Sequence, residues 1–240
     1  MKFITFTIPS YNSEGYLEKA IESLLCVEKD AEIIIVNDGS TDGTLKIAQR
    51  YQNLYPNSIK VINKENGGHG SGVNEGIKHA TGLYFKVLDS DDWLDNENIL
   101  KFMDTIKSQY IENKSPDLYV CDFVYEKATD ATNYIRTYKQ NFSPNRLTNW
   151  SDMLKKFKYS KTMLMHALVI KTAVLKQCEL ALPHHTFYVD NLFAYIPLPF
   201  VQTIYYMPIV LYHYHIGRED QSIQMYHIVD RYKQQIKVMS

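Results

Sequence analysis

The sequence predicts an α/β fold: a mainly parallel, doubly wound sheet flanked by helices, with a C-terminal elaboration. Three observations carry that prediction. Strand-like and helix-like patterns alternate four times in roughly the first 110 residues. One strand-like run, EIIIV at 32–36, is apolar almost throughout, as a strand covered on both faces must be. Three of these runs end in unusual polar sequence, PSYN, NDGSTD and DSDD, at the edge where such sheets bind ligands.

The elements follow in order. FITFTI at 3–8 reads as a strand closed by Pro9 and Ser10. Ser13 is placed to cap the next helix, with Glu14 in its first turn. In that helix Leu17, Ala20, Ile21, Leu24 and Leu25 form one apolar stripe. EIIIV runs into the turn-rich NDGSTDGT, then a helix through Leu45, Ala48 and Tyr51. SIKVIN at 58–63 is a third strand, and Val73, Ile77 and Ala80 mark a third helix. LYFKVL at 83–88 is a fourth strand, and Ile99, Leu100, Met103 and Ile106 give a fourth helix.

Beyond residue 115 the pattern is less regular. DLYVCDFVYE at 117–126 reads as a strand, 127–149 as loops or a hairpin, and 150–159 as a helix. HALVIK reads as a strand, and YVDNLFAYI at 188–196 as a short helix stopped by Pro197 and Pro199. TIYYMPIVLYHYHI at 203–216 is strand-like with a break at Pro208, and 221–238 reads as a closing helix. No linker, repeat or low-complexity segment divides the chain, so it reads as one domain.

Composition narrows the function classes. With 45% hydrophobic and 22% charged residues, the chain has enough apolar material for a full core. A net charge of −1 offers no general attraction to nucleic acid or an anionic membrane, so polyanion binding must be local. Cys26, Cys121 and Cys178 are widely spaced and odd in number, which suits reduced, buried thiols of a cytoplasmic protein. The N-terminal apolar run is stopped by Pro9, too short for a secretory signal. No stretch approaches the roughly 18 apolar residues of a membrane span. Peripheral association with the inner face of a membrane is left open.

The chemistry gathers at KVLDSDDWLD. Asp89, Asp91 and Asp92 fall within four positions at a strand end, where like charges repel. Solvated capping explains one such acid; a hard divalent cation, Mg²⁺ or Mn²⁺, resolves the repulsion of all three. Asp38 directly follows a buried strand at the same edge, either as an Asx turn or as an acceptor for a base N–H or ribose hydroxyl. Asp42 reads as an Asx turn or helix cap. GGHGSG at 67–72 follows the third strand, not the first, and no GxxxxGK[ST] occurs. A dinucleotide site of the usual type is therefore disfavoured.

Taken together and in order, TIPSYNSEGYLEKAIESLL, EIIIVNDGSTDGT and ENGGHGSGVNEGIKHATGLYFKVLDSDDW resemble the family 2 glycosyltransferases and their GT-A type fold. The match runs over about residues 7–94, with a looser tail to Ser222. The resemblance implies an inverting transferase that uses a nucleotide-activated sugar, a UDP-sugar, with Mn²⁺ or Mg²⁺. The acceptor it implies is a glycan or a lipid-linked glycan. Residues 1–115 would form the nucleotide-sugar half and 116–240 the acceptor half.

Carried over by position, Pro9, Tyr11 and Glu14 fall in the nucleotide-binding opening, with Glu14 or the Tyr11 ring near the base. Asp38 falls where the family holds base or ribose, and Asn66 and Asn74 match polar positions beneath the donor. Asp89 and Asp91 match the family's Asp-x-Asp: Asp91 is the direct metal ligand, with Asp89 beside it nearer the ribose. Asp92 is an additional, supporting acid. Asp190 keeps the position of the catalytic base, although Val189 replaces the usual acidic neighbour; capping a helix is its plainer role.

In the tail Tyr212, Tyr214 and Ser222 fit, while His215 stands for the usual arginine and Arg218 lies three residues later. His215 is a candidate third metal ligand, though strand alternation accounts for it more simply. His184 and His185 suit either the acceptor site or the surface. Two rivals stand against this reading. A nucleotidyltransferase would need a basic, glycine-rich loop after the first strand, where PSYNSEGY stands. A non-catalytic nucleotide- or glycan-binding module would not need Asp38, Asp89, Asp91 and Asp190 together.

Overall fold

Strand Ile4–Ser10 (β1) is buried at every position. A full set of β-branched and aromatic side chains on both faces demands cover on both, and helices supply it. The computed structural model describes residues 1–127, 133–153 and 162–216. After β1 come α1 (Leu17–Glu22), β2 (Ala31–Asp38), α2 (Thr44–Leu54), β3 (Ile59–Lys64), α3 (His69–His79) and β4 (Tyr84–Val87). The two-residue β5 (Trp93–Leu94) and the long α4 (Asn96–Ile111) follow. The remainder comprises β6 (Leu118–Lys127), β7 (Tyr134–Arg136), β8 (Leu147–Thr148), α5 (Trp150–Met153), β9 (Leu168–Lys171), α6 (Thr172–Gln177), α7 (Val189–Tyr195) and β10 (Ile204–Ile216).

One mixed sheet runs in the order β3-β2-β1-β4-β9-β6-β10-β5, with β7 paired to β6 and β8 to β10. The first four positions are parallel, as the βα alternation predicts. The second half differs. β9 lies antiparallel to both β4 and β6, so the chain enters the sheet's middle against its prevailing direction. β10 is parallel to β6 over its length and is not broken at Pro208. Its register shifts there instead, because proline has no N–H for the ladder and a bulge absorbs the missing bond.

Local chemistry sets the helix bounds. Asp95 caps α4, its Oδ1 accepting from the amides of Glu97 (3.1 Å) and Asn98 (2.8 Å). Ser13 does not cap α1, which starts at Leu17 after Tyr16; its hydroxyl instead meets that of Ser90 at 2.7 Å. The apolar stripe of α1 continues past its end, but the Ser23 hydroxyl donates to Ala20 O (2.7 Å) and the chain tightens into a 3₁₀ turn at Leu25–Val27. α3 lies close on β1 because it carries glycines: a Cβ at Gly76 would come within 2.3 Å of the Thr7 side chain.

Of the cysteines, Cys121 is buried, Cys178 half-buried and Cys26 exposed, against the expectation that all are buried; none is in a disulfide. No helix among the described residues is long and apolar enough to cross a membrane. The helix expected at 150–159 is seen over Trp150–Met153, and its remainder lies outside the described residues. The closing helix at 221–238, together with Arg218 and Ser222, lies outside them as well.

Candidate active site

β2, β1 and β4 are neighbours, so their carboxyl ends open on one side of the sheet. A cavity of about 550 Å³ lies there. The strand ends supply Pro9, Ser10, Tyr11, Asp38, Asp89 and Asp91 to one wall. The other wall comes from the second half of the chain: Met165 and His166, the run His185–Asp190, and Tyr214. A site read from three separated strand ends is therefore one space.

Asp38 is buried, and its carboxylate organises the glycine-rich loop. Oδ1 accepts from Gly67 N (2.9 Å) and from Lys64 Nζ (2.5 Å), and Oδ2 accepts from Gly68 N (2.7 Å). Gly68 has φ +83°, which an L side chain rarely adopts. Asn66 also lines the cavity, its Nδ2 donating to Asp38 O at 2.9 Å.

The acidic cluster divides its tasks. Asp92 is buried; its Oδ2 accepts from the Tyr212 hydroxyl (2.5 Å) and its Oδ1 from His215 N (2.8 Å). Burial first, then the charges of Asp91 and Asp89, push its carboxyl above the usual range. The same Tyr212 oxygen accepts from Asp89 N at 3.2 Å. Asp89 lies between two histidines, 2.8 Å from His69 Nε2 and 3.5 Å from His166 Nε2. Burial would raise its carboxyl, but the two imidazoles outweigh it and hold the group below the usual carboxylate range. Burial works to lower His69, yet Asp89, with Asp190 and Asp91 beyond, raises it.

Carboxylate oxygens of Asp89 and Asp92 and a His166 ring nitrogen lie within 4.8 Å of one another, and Asp91 faces the same cavity. Hard oxygen donors with one imidazole suit Mn²⁺ or Mg²⁺, and a cation would relieve the mutual repulsion that raises Asp92. The residues present fit such an ion.

Asp190 sits in the first turn of α7 and lines the cavity half-buried. Tyr188, not Asp190, holds the N-cap position, and the Asp190 carboxylate accepts no hydrogen bond from the described residues.

Three of the residues expected at the site stand apart from the cavity. Glu14 is exposed and its Oε2 accepts from Gly43 N at 2.6 Å, joining two surface loops. Asn74 bonds the backbone of Leu182. The His215 ring lies beside Trp93 and Tyr16, at centroid separations of 6.1 and 6.5 Å, off the cavity wall.

Sequence reasoning gave no role to His69, His166 or Lys86. His166 is buried on the 3₁₀ turn Met165–Ala167 and stacks on Tyr214 at 4.3 Å. Lys86 is fully buried and donates to His166 O (2.7 Å), which pins that turn; burial draws its ammonium down to about 8. A lysine inside an otherwise apolar strand was the available signal for that anchor.

The strand ends of this α/β sheet thus bring a carboxylate cluster into one cavity with Asp190, whose carboxylate accepts no hydrogen bond from the described residues. Comparison with known proteins assigns the family: residues 5–168 match the family model "Glycosyl transferase family 2", and the chain belongs to that family. The chain is 40% identical over 108 residues to the minor teichoic acid biosynthesis protein GgaB of Bacillus subtilis, covering 42% of this chain and 12% of that one. Its fold is similar to the crystal structure of S. aureus TarS 1-349 in complex with UDP-GlcNAc, at TM-score 0.73 and 22% identity over 99% of this chain and 65% of that one. It is also similar to the mannosyltransferase PcManGT from Pyrobaculum calidifontis in complex with GDP-Man and Mn²⁺, at TM-score 0.62 and 15% identity over 98% and 64%. The chain thus spans less than two thirds of each of these proteins.

Proposed function

We propose that this protein is an inverting, metal-dependent glycosyltransferase that moves a sugar from a UDP-sugar to a glycan or lipid-linked glycan acceptor. One observation supports the reading: a single cavity joins the strand-end acids to Asp190, whose carboxylate accepts no hydrogen bond from the described residues. UDP-GlcNAc in the TarS crystals supports the donor class, and the similarity to a minor teichoic acid biosynthesis protein supports a polymer-building reaction.

In this reading Pro9 and Tyr11 border the base, with Asp38 and Asn66 holding the loop beneath the donor. Asp190 accepts the proton of the acceptor hydroxyl as that oxygen bonds to the anomeric carbon. The bond from the anomeric carbon to the diphosphate oxygen breaks on the opposite face, and UDP leaves with the bonding pair. No protein nucleophile is needed, and the configuration inverts. Mn²⁺ or Mg²⁺, held by Asp89, Asp91 and His166 with Asp92 behind them, would supply charge stabilisation to the departing diphosphate.

A thermal-shift panel of nucleotide sugars, run with and without Mn²⁺, tests the reading. A UDP-sugar at about 100 times its Kd is expected to stabilise the fold by about 2.7 kcal/mol, and only when Mn²⁺ is present. Equal stabilisation without the metal would remove the metal from the reading. No stabilisation by any nucleotide sugar would remove the transferase.

A further inference from the structure

Asn74, in the middle of α3, reaches across to a segment 108 residues away. Its Nδ2 donates to Leu182 O at 2.8 Å and its Oδ1 accepts from Leu182 N at 2.9 Å, so one side chain satisfies both backbone groups. Three residues later His185 N donates to Gly67 O at 2.8 Å. Between these points α3 and the segment touch so closely that only glycine fits. A Cβ at Gly70 would lie 2.9 Å from Leu182 Cβ, and one at Gly68 would lie 3.0 Å from His185 N.

The segment then turns through two non-glycine residues in the left-handed region, His185 (φ +46°) and Tyr188 (φ +65°). Such a backbone persists only where its surroundings over-determine it. The Tyr188 hydroxyl is buried and meets no hydrogen-bond partner among the described residues, so it does not stabilise that turn. Tyr188 is the N-cap of α7 and fixes the direction in which Val189 and Asp190 enter the helix. On the other side, the Asp38 carboxylate holds Gly67 and Gly68. A continuous set of contacts therefore leads from the donor loop to the acid facing the cavity.

We propose that Asn74 is a positioning residue for Asp190. By fixing Leu182 it holds the strap 182–188 in the turn that aims the Asp190 carboxylate. Its work lies on the acceptor side of the cavity and not beneath the donor. This inference rests on reading Asp190 as the base.

The test compares wild type, Asn74→Ala, Asn74→Asp and Asp190→Asn in the full chain with Mn²⁺ present. UDP binding is measured by calorimetry, and UDP release is followed from UDP-glucose, UDP-galactose, UDP-GlcNAc and UDP-GalNAc. Amide exchange across 182–195 is read by mass spectrometry. For Asn74→Ala the expected result is a kcat lower by about tenfold or more, with UDP affinity and donor KM held within about twofold. Exchange over the strap should quicken. Asn74→Asp, which keeps an acceptor for Leu182 N, should fall between. A loss of UDP affinity equal to the loss of rate would overturn the proposal, since Asn74 would then serve the donor; unchanged kcat or unchanged exchange would overturn it too. Should Asn74→Ala not fold, Asn74→Asp is held to the same criteria. Full activity in Asp190→Asn would instead overturn the base reading, so the two failures are distinguishable.

Discussion

At the scale of single residues, the candidate site separates acids whose oxygens the fold occupies from one whose carboxylate accepts nothing from the described residues. Both oxygens of Asp92 are taken by Tyr212 and by the backbone of His215, and both oxygens of Asp38 by the glycine loop. Asp190 lines the same cavity and accepts nothing from the described residues. In the proposed reaction such a carboxylate keeps lone pairs open to an incoming hydroxyl, which is what a general base requires. Asp190→Asn preserves size and shape while removing the proton acceptor. Its kcat should fall by about 10²–10⁴-fold with donor KM little changed, read by steady-state UDP release. Undiminished turnover would reassign the base. Asp38 and the Asp89–Asp92 cluster were legible in sequence because they stand at the ends of apolar runs, whereas Asp190 was reached only through the family resemblance. His69 and His166 were not legible, since a lone histidine in a glycine-rich loop, or one before a strand, has no periodic signal. Their value comes from tertiary approach to Asp89, which no local pattern encodes.

At the scale of elements, α3 explains how the sequence brings the two walls together. Its N-terminus carries His69, its middle carries Asn74, and its inner face rests on β1. That approach depends on Gly76, where a Cβ would lie 2.3 Å from both Thr7 Cγ2 and Oγ1, on a strand residue with no exposure. Alanine gains about 1 kcal/mol of helix propensity over glycine, but Thr7 has nowhere to move. Overpacking should win, and Gly76→Ala should lower stability by about 1–3 kcal/mol. Gly15→Ala is the comparison, because nothing lies within 4 Å of its Cβ. Urea midpoints that do not differ between the two variants would mean that α3 can shift outward at little cost. The parallel half was readable because its strands are buried runs separated by amphipathic helices. β9 and β10 were legible as strands, but the antiparallel direction of β9 and the register shift of β10 were not, since both depend on which partner strand a short apolar run finds.

At the scale of the whole molecule, two halves share one sheet through two short seams, β4 with β9 and β5 with β10. β4 and β9 pair at only two positions, Tyr84 with Lys171 and Phe85 with Ile170. Side chains reinforce the join: Tyr84 OH donates to Pro116 O at 2.7 Å, and Thr172 Oγ1 donates to Gly82 O at 2.6 Å. Asp117 stands where the chain crosses into the second half. Its Oδ2 accepts from the amides of Gln202 (3.0 Å) and Thr203 (3.1 Å) and from Thr203 Oγ1 (3.1 Å), and its Oδ1 faces Lys171 Nζ at 3.4 Å. One carboxylate thereby ties the start of β6 to β9 and to the approach of β10. Burial would raise its carboxyl, but these donors outweigh burial and lower it. A carboxyl lowered by folding contributes its stability in full above the unfolded value of about 3.9, and loses it as pH falls through the folded value. Asp117→Asn should therefore cost about 1–2 kcal/mol at neutral pH, and the gap from wild type should close as the pH is taken below about 4. Because the seams are shared, each protein should still unfold in one transition, with near- and far-ultraviolet dichroism coincident. A gap that stays constant into acid would show that the charge adds nothing beyond the shape of the side chain. Two separated transitions would show that the seams do not couple the halves.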